Sequence, residues 1–345
     1  MTLEQILDAL RSRPRFAPQF TAWRAFPEVE ARYEEFPSDL DPRLANALRR
    51  RGIGQLYTHQ AVAYREIARG ADIVVVTPTA SGKTLCYNLP VVDAILKRGD
   101  ARALYLFPTK ALSGDQVDEL HGLVEALGVD LRTSTYDGDT PNDARRTIRA
   151  AGHIVVSNPD MLHAGILPHH TKWLRLFENL RFVVLDELHT YRGVFGSHLA
   201  NVLRRLFRVC RFYGSAPQII CCSATIAHPR EHAERLIGRP VALIDQSGAP
   251  RGARTIGLYN PPVVNPALGI RRDAVREAVA VAGELLAGRV QTIFFARTRL
   301  RAELLTSYLQ EDARRKGGDP GTICGYRAGY LPSERRRIEA GLRSG

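Results

Sequence analysis

Several features that mark membrane, secreted and metal-binding proteins are missing from this 345-residue sequence. No apolar run approaches the roughly 18 residues that a membrane helix needs. The start, MTLEQILDAL, has acidic residues and no basic stretch leading into an apolar core, so it does not resemble a signal peptide. The cysteines form no CxxC pair and no metal-ligand spacing. We expect a cytoplasmic protein without membrane association and with reduced, mostly packed thiols that hold no metal: Cys86, Cys210, Cys221, Cys222 and Cys324.

Acidic residues are also scarce relative to basic ones. The chain has 36 Asp and Glu against 48 Lys and Arg, a formal net charge of +12. The last third, from Gly248 to Gly345, carries 17 basic and 9 acidic residues, so the positive charge is concentrated there. Such an excess favours a polyanionic partner, because cations that neutralise phosphates release counterions. Charge alone does not decide the partner, since many basic proteins bind no nucleic acid.

What the chain does have is an alternation of short β-branched runs with amphipathic helices. The runs are ADIVVVTP, ARALYLFP, HIVVSNP, RFVVLDE, APQIICCSA and PVALID. This alternation predicts an α/β fold with a parallel sheet. A second series, with the predicted strands QTIFFART and TICGYRAG, follows a Pro- and Gly-rich stretch at 248–266. We therefore expect a helical lead-in at 1–50, a first domain at 51–247 and a partial second domain at 248–345.

The strongest chemical signal is TPTASGKT at 77–84, directly after an apolar run and before a predicted helix. In a strand–loop–helix of this kind, backbone N–H groups and a helix N-terminus point at phosphates. Lys83 is placed to reach the β- and γ-phosphates of ATP, and the Thr84 hydroxyl to hold Mg²⁺. Thr77 stands where the general pattern has its first glycine. The predicted nucleotide ligands of this loop are Thr79, Ala80, Ser81, Gly82, Lys83 and Thr84.

The second signal is RFVVLDELH at 181–189, which places two carboxylates at the carboxyl end of a predicted strand. Ligands bind at that end in open α/β sheets. Asp186 suits Mg²⁺ coordination, and Glu187 suits orienting and deprotonating an attacking water. The alternative is a solvated strand end without a ligand, although burying such a pair would be costly. The predicted catalytic residues are Lys83, Asp186 and Glu187.

The order and spacing of GKT, DELH and the tripeptide SAT at 223–225 resemble the DExH-box helicases of superfamily 2. The resemblance implies tandem RecA-like phosphate-loop domains with parallel sheets, of which the second is truncated here. It also identifies LYTHQ at 56–60 with the family's Q motif. By that resemblance, Gln60 reads the adenine edge and Tyr57 stacks nearby, and His189 joins the nucleotide site. Ser223 and Thr225 would couple the γ-phosphate state to contacts with the nucleic acid.

Three further segments resemble motifs that touch the nucleic-acid backbone in this family: FPTKAL at 107–112, YDGDT at 136–140 and SNPDML at 157–162. A fourth, IFFARTR at 293–299, resembles motif IV of the second domain. Backbone contacts position a strand without reading its sequence. Taken singly, each segment has an alternative interpretation as turn chemistry. The predicted nucleic-acid contacts are Pro108, Thr109, Lys110, Thr140, Asn158 and Arg297, with Arg299 and Arg327 as further candidates.

Finer details, including FPTKALSGDQ, SNPDMLH and YRAGYLP, resemble the MrfA-type helicases from about residue 40 onward. That family consists of 3′-to-5′ DNA helicases linked to mitomycin and crosslink repair, and is related to the eukaryotic RecQ4-like enzymes. The resemblance implies an ATP- and Mg²⁺-dependent helicase that acts on single-stranded and forked DNA. It also implies a cytoplasmic, nucleoid-associated location.

Motif V and motif VI of that family, the latter a QxxGRxGR-like segment, have no counterpart in these 345 residues. Motif VI carries arginines that face ATP, and an arginine of that kind contributes roughly 10³–10⁵ in rate. We therefore expect an N-terminal portion with weak or no turnover, and a second-domain sheet that lacks strands and leaves an apolar edge. Two alternatives stay open: a DExH RNA helicase, and a nucleotide-responsive DNA-binding module without turnover.

Overall fold

The chain folds into two units. The computed structural model describes residues 2–344, without the side chains at 110–113, 115 and 332. One unit is Glu28–Gly252, and the other combines Met1–Pro27 with Ala253–Gly345. Among the described helices, none is both long and apolar enough to cross a lipid bilayer.

The strands are short, as expected for runs of four to six apolar residues. They are β1 (Phe20–Phe26), β2 (Tyr33–Glu34), β3 (Leu56–Tyr57), β4 (Ile73–Val76), β5 (Arg102–Leu106), β6 (Thr133–Thr135), β7 (Ile154–Ser157), β8 (Leu180–Leu185), β9 (Gln218–Ser223), β10 (Ala242–Ile244), β11 (Arg254–Tyr259), β12 (Val263–Asn265) and β13 (Ile270–Arg271).

The helices connect these strands. They are α1 (Leu3–Ser12), α2 (Pro42–Arg50), α3 (Thr58–Ala68), α4 (Lys83–Lys97), α5 (Lys110–Leu127), α6 (Asn142–Ala151), α7 (Pro159–Met161), α8 (Leu174–Asn179), α9 (Gly193–Phe212), α10 (Pro229–Ile237), α11 (Ala274–Ala287), α12 (Arg299–Arg315) and α13 (Pro332–Ser344).

The larger unit is built on a parallel sheet. Within its described residues the strand order is β10-β4-β9-β8-β5-β7-β6, and each neighbouring pair runs parallel. Both faces are covered, because alternate side chains of β4 enter opposite cores: Ile73 and Val75 face one, and Val74 and Val76 the other. Helices α2 to α5 contribute to the first core, and α6, α8, α9 and α10 to the second. The predicted α/β fold with a parallel sheet is confirmed.

All six apolar runs named above became strands of this sheet, β4, β5, β7, β8, β9 and β10. The sheet has one more strand, β6, which sequence analysis missed. Its three residues, Thr133–Thr135, are polar and only half-buried, and β6 stands at the end of the sheet with β7 as its neighbour. An edge strand of this kind is held by backbone pairing, so its sequence carries no apolar signal.

The amino-terminal residues differ from the expected lead-in at 1–50. Strand β1 pairs antiparallel with β11, from Phe20 opposite Tyr259 to Phe26 opposite Arg254. Helix α1 adds Ile6 and Leu10 to a small core that also holds Phe16, with Tyr259 and Leu285 packed against it. Residues 1–27 therefore belong to the unit of 253–345. The physical reason is that β1 and β11 each supply the backbone groups that the other needs, a long-range pairing that local periodicity does not reveal.

Two predictions of strands in the smaller unit were wrong. The segments QTIFFART and TICGYRAG lie outside the assigned strands, and Phe295 in the first is 94% exposed. In the described part of this unit, the pairings are the antiparallel two-stranded sheets β1–β11 and β12–β13. A β-branched run needs a neighbouring strand to satisfy its backbone, and among the described residues neither segment has one.

We expect Ile6→Ala to destabilise the smaller unit selectively, by about 2–4 kcal/mol, because the side chain is fully buried and a cavity would remain. Its fit is tight: a Cβ added at Gly288 would lie 2.1 Å from Ile6 Cδ1. Amide hydrogen exchange should accelerate in β11 and α11 and stay unchanged in β4. The matched control is Leu3→Ala on the same helix, where the side chain is 50% exposed. Equal exchange in both variants would contradict the assignment of residues 1–27.

Candidate functional site

The predicted site residues of the larger unit gather at one edge of its sheet, because parallel strands place all their carboxyl ends there. The loops after β4, β9 and β8 carry the nucleotide motifs, and these three strands are neighbours. The loops after β5, β7 and β6 carry the predicted nucleic-acid contacts, and these strands are the next three along the same sheet. The edge is thus divided into two adjoining halves with different residue types.

The loop after β4 has the geometry of a phosphate loop. Its β4 strand is fully buried, and Thr77 Oγ1 lies 2.6 Å from Ser81 Oγ, both buried, which ties the two ends of the loop together. Ala80 and Gly82 adopt left-handed backbone conformations with φ of 59° and 74°. Helix α4 then begins at Lys83, so its unpaired amide groups point into the loop.

Lys83 is bonded to its own loop. Its Nζ donates to the carbonyl oxygens of Thr77 and Pro78, each at 2.9 Å. Glycine is favoured at position 82 for two reasons: its positive φ, and the short distance of 2.7 Å that a Cβ there would have to Gln60 Nε2. Thr79 and Ala80 are exposed at the rim of the loop.

Two residues that sequence analysis missed connect the predicted Mg²⁺ ligands. The Thr84 hydroxyl donates to Gln116 Oε1 at 2.8 Å, and the Tyr87 hydroxyl lies 2.8 Å from the same oxygen. Tyr87 also lies 3.2 Å from Asp186 Oδ2. A signal existed for each: Tyr87 is one helical turn after Thr84, and Gln116 falls within the segment FPTKALSGDQ. The network holds Thr84 and Asp186 on one small polar surface.

Asp186 is a buried carboxylate at the end of β8. Its Oδ1 accepts the backbone N–H of Glu187 at 2.8 Å, and only 9% of the residue is exposed. Burial raises the pKa of Asp186 to about 6, with a small further rise from the neighbouring Glu187 charge, while the Glu187 N–H and Tyr87 oppose it. At neutral pH the group is therefore ionised inside a poorly solvated site, which suits binding a cation.

Glu187 projects differently from its neighbour. Its backbone is left-handed, with φ 53° and ψ 44°, a conformation that costs free energy for a residue with a Cβ. The turn leaves the carboxylate partly exposed, and Glu187 Oε2 lies 3.2 Å from His189 Nδ1. The strand end thus directs one carboxylate inward and the next outward, beside a histidine.

Of the predicted adenine-side residues, Gln60 is hydrogen-bonded to the phosphate loop. Gln60 is buried; its Oε1 accepts the Tyr57 N–H at 2.9 Å and its Nε2 donates to the Gly82 carbonyl at 3.0 Å. One donor and one acceptor lone pair of the amide are left for a ligand. The Tyr57 ring stacks on Tyr33, with centroids 5.3 Å apart. Gln60 therefore has a structural bond to Gly82 in addition to its predicted ligand role.

Ser223 ends β9, between the strand of the phosphate loop and the strand of Asp186. Its Oγ is buried and has no hydrogen-bond partner among the described residues. Thr225, two residues on, is exposed. The structure therefore brings Ser223 to the centre of the nucleotide half and leaves the Thr225 side chain in solvent.

The predicted nucleic-acid contacts fall on the other half of the edge. Pro108 and Thr109 follow β5, and Thr109 precedes α5 without a capping bond from its side chain. Asn158 follows β7 and accepts the Met161 N–H at 2.8 Å. Thr140 follows β6 and its Oγ1 accepts the Asp137 N–H at 2.9 Å. The side chain of Lys110 lies outside the described residues.

Three predicted arginines lie in the smaller unit. Arg297 is exposed in the irregular segment before α12, and Arg299 is the first residue of that helix. Arg327 makes an ion pair with Glu303 of the same unit. Arg327 is therefore engaged within its own unit, and Arg297 is the more accessible candidate.

Comparison with known proteins assigns the family. Residues 57–233, from Tyr57 in the Q-motif segment to the middle of α10, match the family model described as DEAD/DEAH box helicase. This match spans more than half of the chain. The chain belongs to the DEAD/DEAH box helicases.

Among curated members of this helicase family, an uncharacterized ATP-dependent helicase of Bacillus subtilis, YprA, is 55% identical over 323 residues. The match covers 94% of this chain and 43% of YprA. The ATP-dependent helicase hrq1 of Schizosaccharomyces pombe is 35% identical, and the match covers 100% of this chain and 33% of hrq1. The chain thus spans less than half the length of these relatives.

Among solved structures, the DUF1998 helicase MrfA bound to DNA superimposes with a TM-score of 0.94 at 52% identity, covering 100% of this chain and 45% of MrfA. MrfA bound to DNA and AMPPNP gives a TM-score of 0.93 at the same identity. The predicted resemblance to MrfA-type helicases is confirmed.

We expect Asp186→Asn to stabilise the nucleotide-free protein at pH 7.5, by at most about 3 kcal/mol. The reason is that the folded pKa of Asp186, about 6, lies above its ordinary value of 3.8, so the fold favours the neutral carboxyl. The stabilisation should be full above pH 6, shrink as the pH falls from 6 towards 3.8, and vanish below that. Thermal unfolding of both proteins without Mg²⁺ across this range measures it. A pH-independent difference would contradict the raised pKa.

Proposed function

We propose that this chain carries the ATP-binding part of a 3′-to-5′ DNA helicase that acts in DNA repair on single-stranded and forked DNA. The observation that supports the proposal best is the division of one sheet edge, with a phosphate loop and a buried carboxylate beside three loops that hold the predicted nucleic-acid contacts. Family membership supports ATP dependence. DNA as the polymer is supported by the MrfA structures, which were solved bound to DNA. Work on DNA implies a location at the cytoplasmic nucleoid.

In this proposal the triphosphate lies on the loop Thr79–Thr84. Lys83 exchanges the Thr77 and Pro78 carbonyls for phosphate oxygens, which is favourable because a charged acceptor makes the stronger hydrogen bond. The amide groups at the start of α4 add further donors. Gln60 uses its remaining donor and acceptor for the adenine edge, and Tyr57 packs nearby.

The residues present fit Mg²⁺, a hard cation that prefers oxygen ligands. An ionised, buried Asp186 carboxylate and the Thr84 hydroxyl belong to one hydrogen-bonded network through Gln116 and Tyr87. When bound, Mg²⁺ neutralises phosphate charge and helps to position the phosphates. Asp186 and Thr84 would hold it, directly or through water.

Glu187 and His189 suit activation of the attacking water. The outward Glu187 carboxylate orients a water and accepts its proton. His189 Nδ1 lies 3.2 Å from Glu187 Oε2 and interacts with this carboxylate. Ser223, with a buried and unpartnered hydroxyl among the described residues, is placed to respond to the γ-phosphate. Thr225 is assigned to the same coupling.

The strand of nucleic acid crosses the loops after β5, β7 and β6, at Pro108, Thr109, Thr140 and Asn158. These side chains are uncharged, so they position the backbone through hydroxyls, amides and main-chain N–H groups. The proposed cationic contact of the larger unit is Lys110, and the smaller unit has its own proposed contact in Arg297.

We expect the chain to bind Mg²⁺–ATP, and Lys83→Ala to weaken binding at least about tenfold, because a charged hydrogen bond to phosphate is lost. Fluorescence titration with a labelled ATP analogue measures the affinity. Lys172→Ala is the matched control, since Lys172 is exposed and outside the phosphate loop. Equal affinity of Lys83→Ala and the unchanged chain would overturn the assignment of the nucleotide site.

The same protein samples test whether the chain hydrolyses ATP and whether DNA or RNA stimulates the hydrolysis. Phosphate release, measured with single-stranded DNA, with RNA and without either, should be slow in this chain, because these 345 residues lack a motif VI segment. Stimulation by DNA above the Lys83→Ala background supports the helicase motor. Stimulation by RNA alone would favour the RNA helicase, and binding without any release would favour the DNA-binding module.

We expect Thr109→Ala to lower affinity for single-stranded DNA about 3- to 10-fold, because one hydroxyl contact to a phosphate is lost. The slope of affinity against salt should not change, since no cation is removed. Fluorescence anisotropy at several salt concentrations measures both quantities. Thr147→Ala, at an exposed position of α6, is the control. A loss in the control as large as in Thr109→Ala would argue against this strand path.

A further inference from the structure

One buried histidine of the larger unit has no role in the site described so far. His59 is the second residue of α3, is 1% exposed, and lies nearly parallel to the Tyr57 ring, with centroids 6.0 Å apart and planes 10° apart. It is flanked in sequence by Thr58 and Gln60, and Gln60 is bonded to the phosphate loop. Burial of a histidine is costly unless its ring nitrogens have hydrogen-bond partners, so the surroundings of both nitrogens matter.

One ring nitrogen is bonded to a distant segment. His59 Nδ1 accepts the backbone N–H of Gly248 at 3.2 Å. Nδ1 therefore carries the lone pair, and the proton of the neutral ring is on Nε2. Gly248 fits only as glycine, since a Cβ there would lie 2.2 Å from Thr58 Oγ1 and 2.8 Å from the Arg32 carbonyl oxygen.

The ring of His59 also lies next to the phosphate loop. His59 Nε2 is buried and has no hydrogen-bond partner among the described residues. Burial lowers the pKa of His59; the Lys83 charge acts in the same direction, and the Ser81 backbone acts against it. Both of these influences come from the phosphate loop, so the ring lies beside that loop.

The segment bonded to His59 is the exit segment, residues 247–252, which ends the larger unit before the chain continues at Ala253. The exit segment is hydrogen-bonded to residues 29 and 32. Arg32 donates its backbone N–H to the Gly248 carbonyl and its guanidinium to the Ser247 carbonyl, both at 2.8 Å. Val29 and Arg251 exchange both of their backbone hydrogen bonds. His59 is thus a side chain that contacts the exit segment on one side and faces the phosphate loop on the other.

We infer that His59 is a positioning residue that transmits occupancy of the phosphate loop to the exit segment. The inference rests on the proposed nucleotide-binding function. Binding of the phosphates draws Lys83 away from Thr77 and Pro78 and rearranges the backbone at Ser81, which interacts with His59. An ordered loop gives Nε2–H a fixed acceptor, which fixes the ring and tightens the bond from Gly248 to Nδ1.

Hydrogen–deuterium exchange of the full chain, with and without a non-hydrolysable Mg²⁺–ATP analogue, tests this. We expect the analogue to slow exchange in two places: in 77–84, and in the exit segment at Gly248 by about fivefold or more. In His59→Phe the ring volume stays but the acceptor is lost, so the response at Gly248 should disappear while the response at 77–84 persists. His59→Gln, whose polar atoms lie one position too far out, should behave the same way.

Two further variants separate positioning from simple damage. His59→Asn places Oδ1 where Nδ1 stands and should retain a response at Gly248. Gln246→Ala, an exposed change beside the exit segment, should retain it fully. A full response at Gly248 in both His59→Phe and His59→Gln would overturn the inference. Absence of any response at 77–84 in the unchanged chain would instead refute nucleotide binding, and the inference with it.

Discussion

Parallel pairing of β4, β9 and β8 is the constraint on which the candidate site depends. Each strand is buried on both faces, so its register is set twice over: a slip by one residue would exchange the side chains of the two cores, for example Val74 and Val75 of β4. Because the three strands run in one direction, their carboxyl ends stay together. The phosphate loop, Ser223 and Asp186 are therefore neighbours, although 146 positions separate Thr77 from Ser223 in the chain.

The same burial determines the chemistry of those strand ends. In a poorly solvated environment a carboxylate is costly, and this is visible in the raised pKa of Asp186. The surrounding structure offsets part of that cost through the Glu187 N–H and the Tyr87 hydroxyl. Functional sites commonly contain groups that destabilise the protein when no ligand is bound. A buried carboxylate is such a group, and the same burial favours its binding of a cation.

Sequence analysis predicted the fold correctly where burial is high. The prediction failed where strand pairing is non-local. Six β-branched runs predicted six strands, since such runs bury well on both faces of a parallel sheet. The polar edge strand β6 carries no apolar signal. The β1–β11 pairing joins residues more than 220 positions apart, and no local pattern reports it. QTIFFART has the composition of a strand, yet composition cannot supply the neighbour that a strand requires.

For the site, the sequence by itself predicted the chemistry: GKT, DELH, LYTHQ and SAT indicate a phosphate loop and a carboxylate suited to a cation, and they resemble motifs of one family, because each motif is a short run whose spacing is set by local backbone geometry. Only the tertiary structure decided which groups meet. It joined Thr84 to Asp186 through Gln116 and Tyr87, tied Gln60 to Gly82, and set His59 between Gly248 and the phosphate loop. These contacts join separate elements, and they exist only after the sheet has brought the elements together.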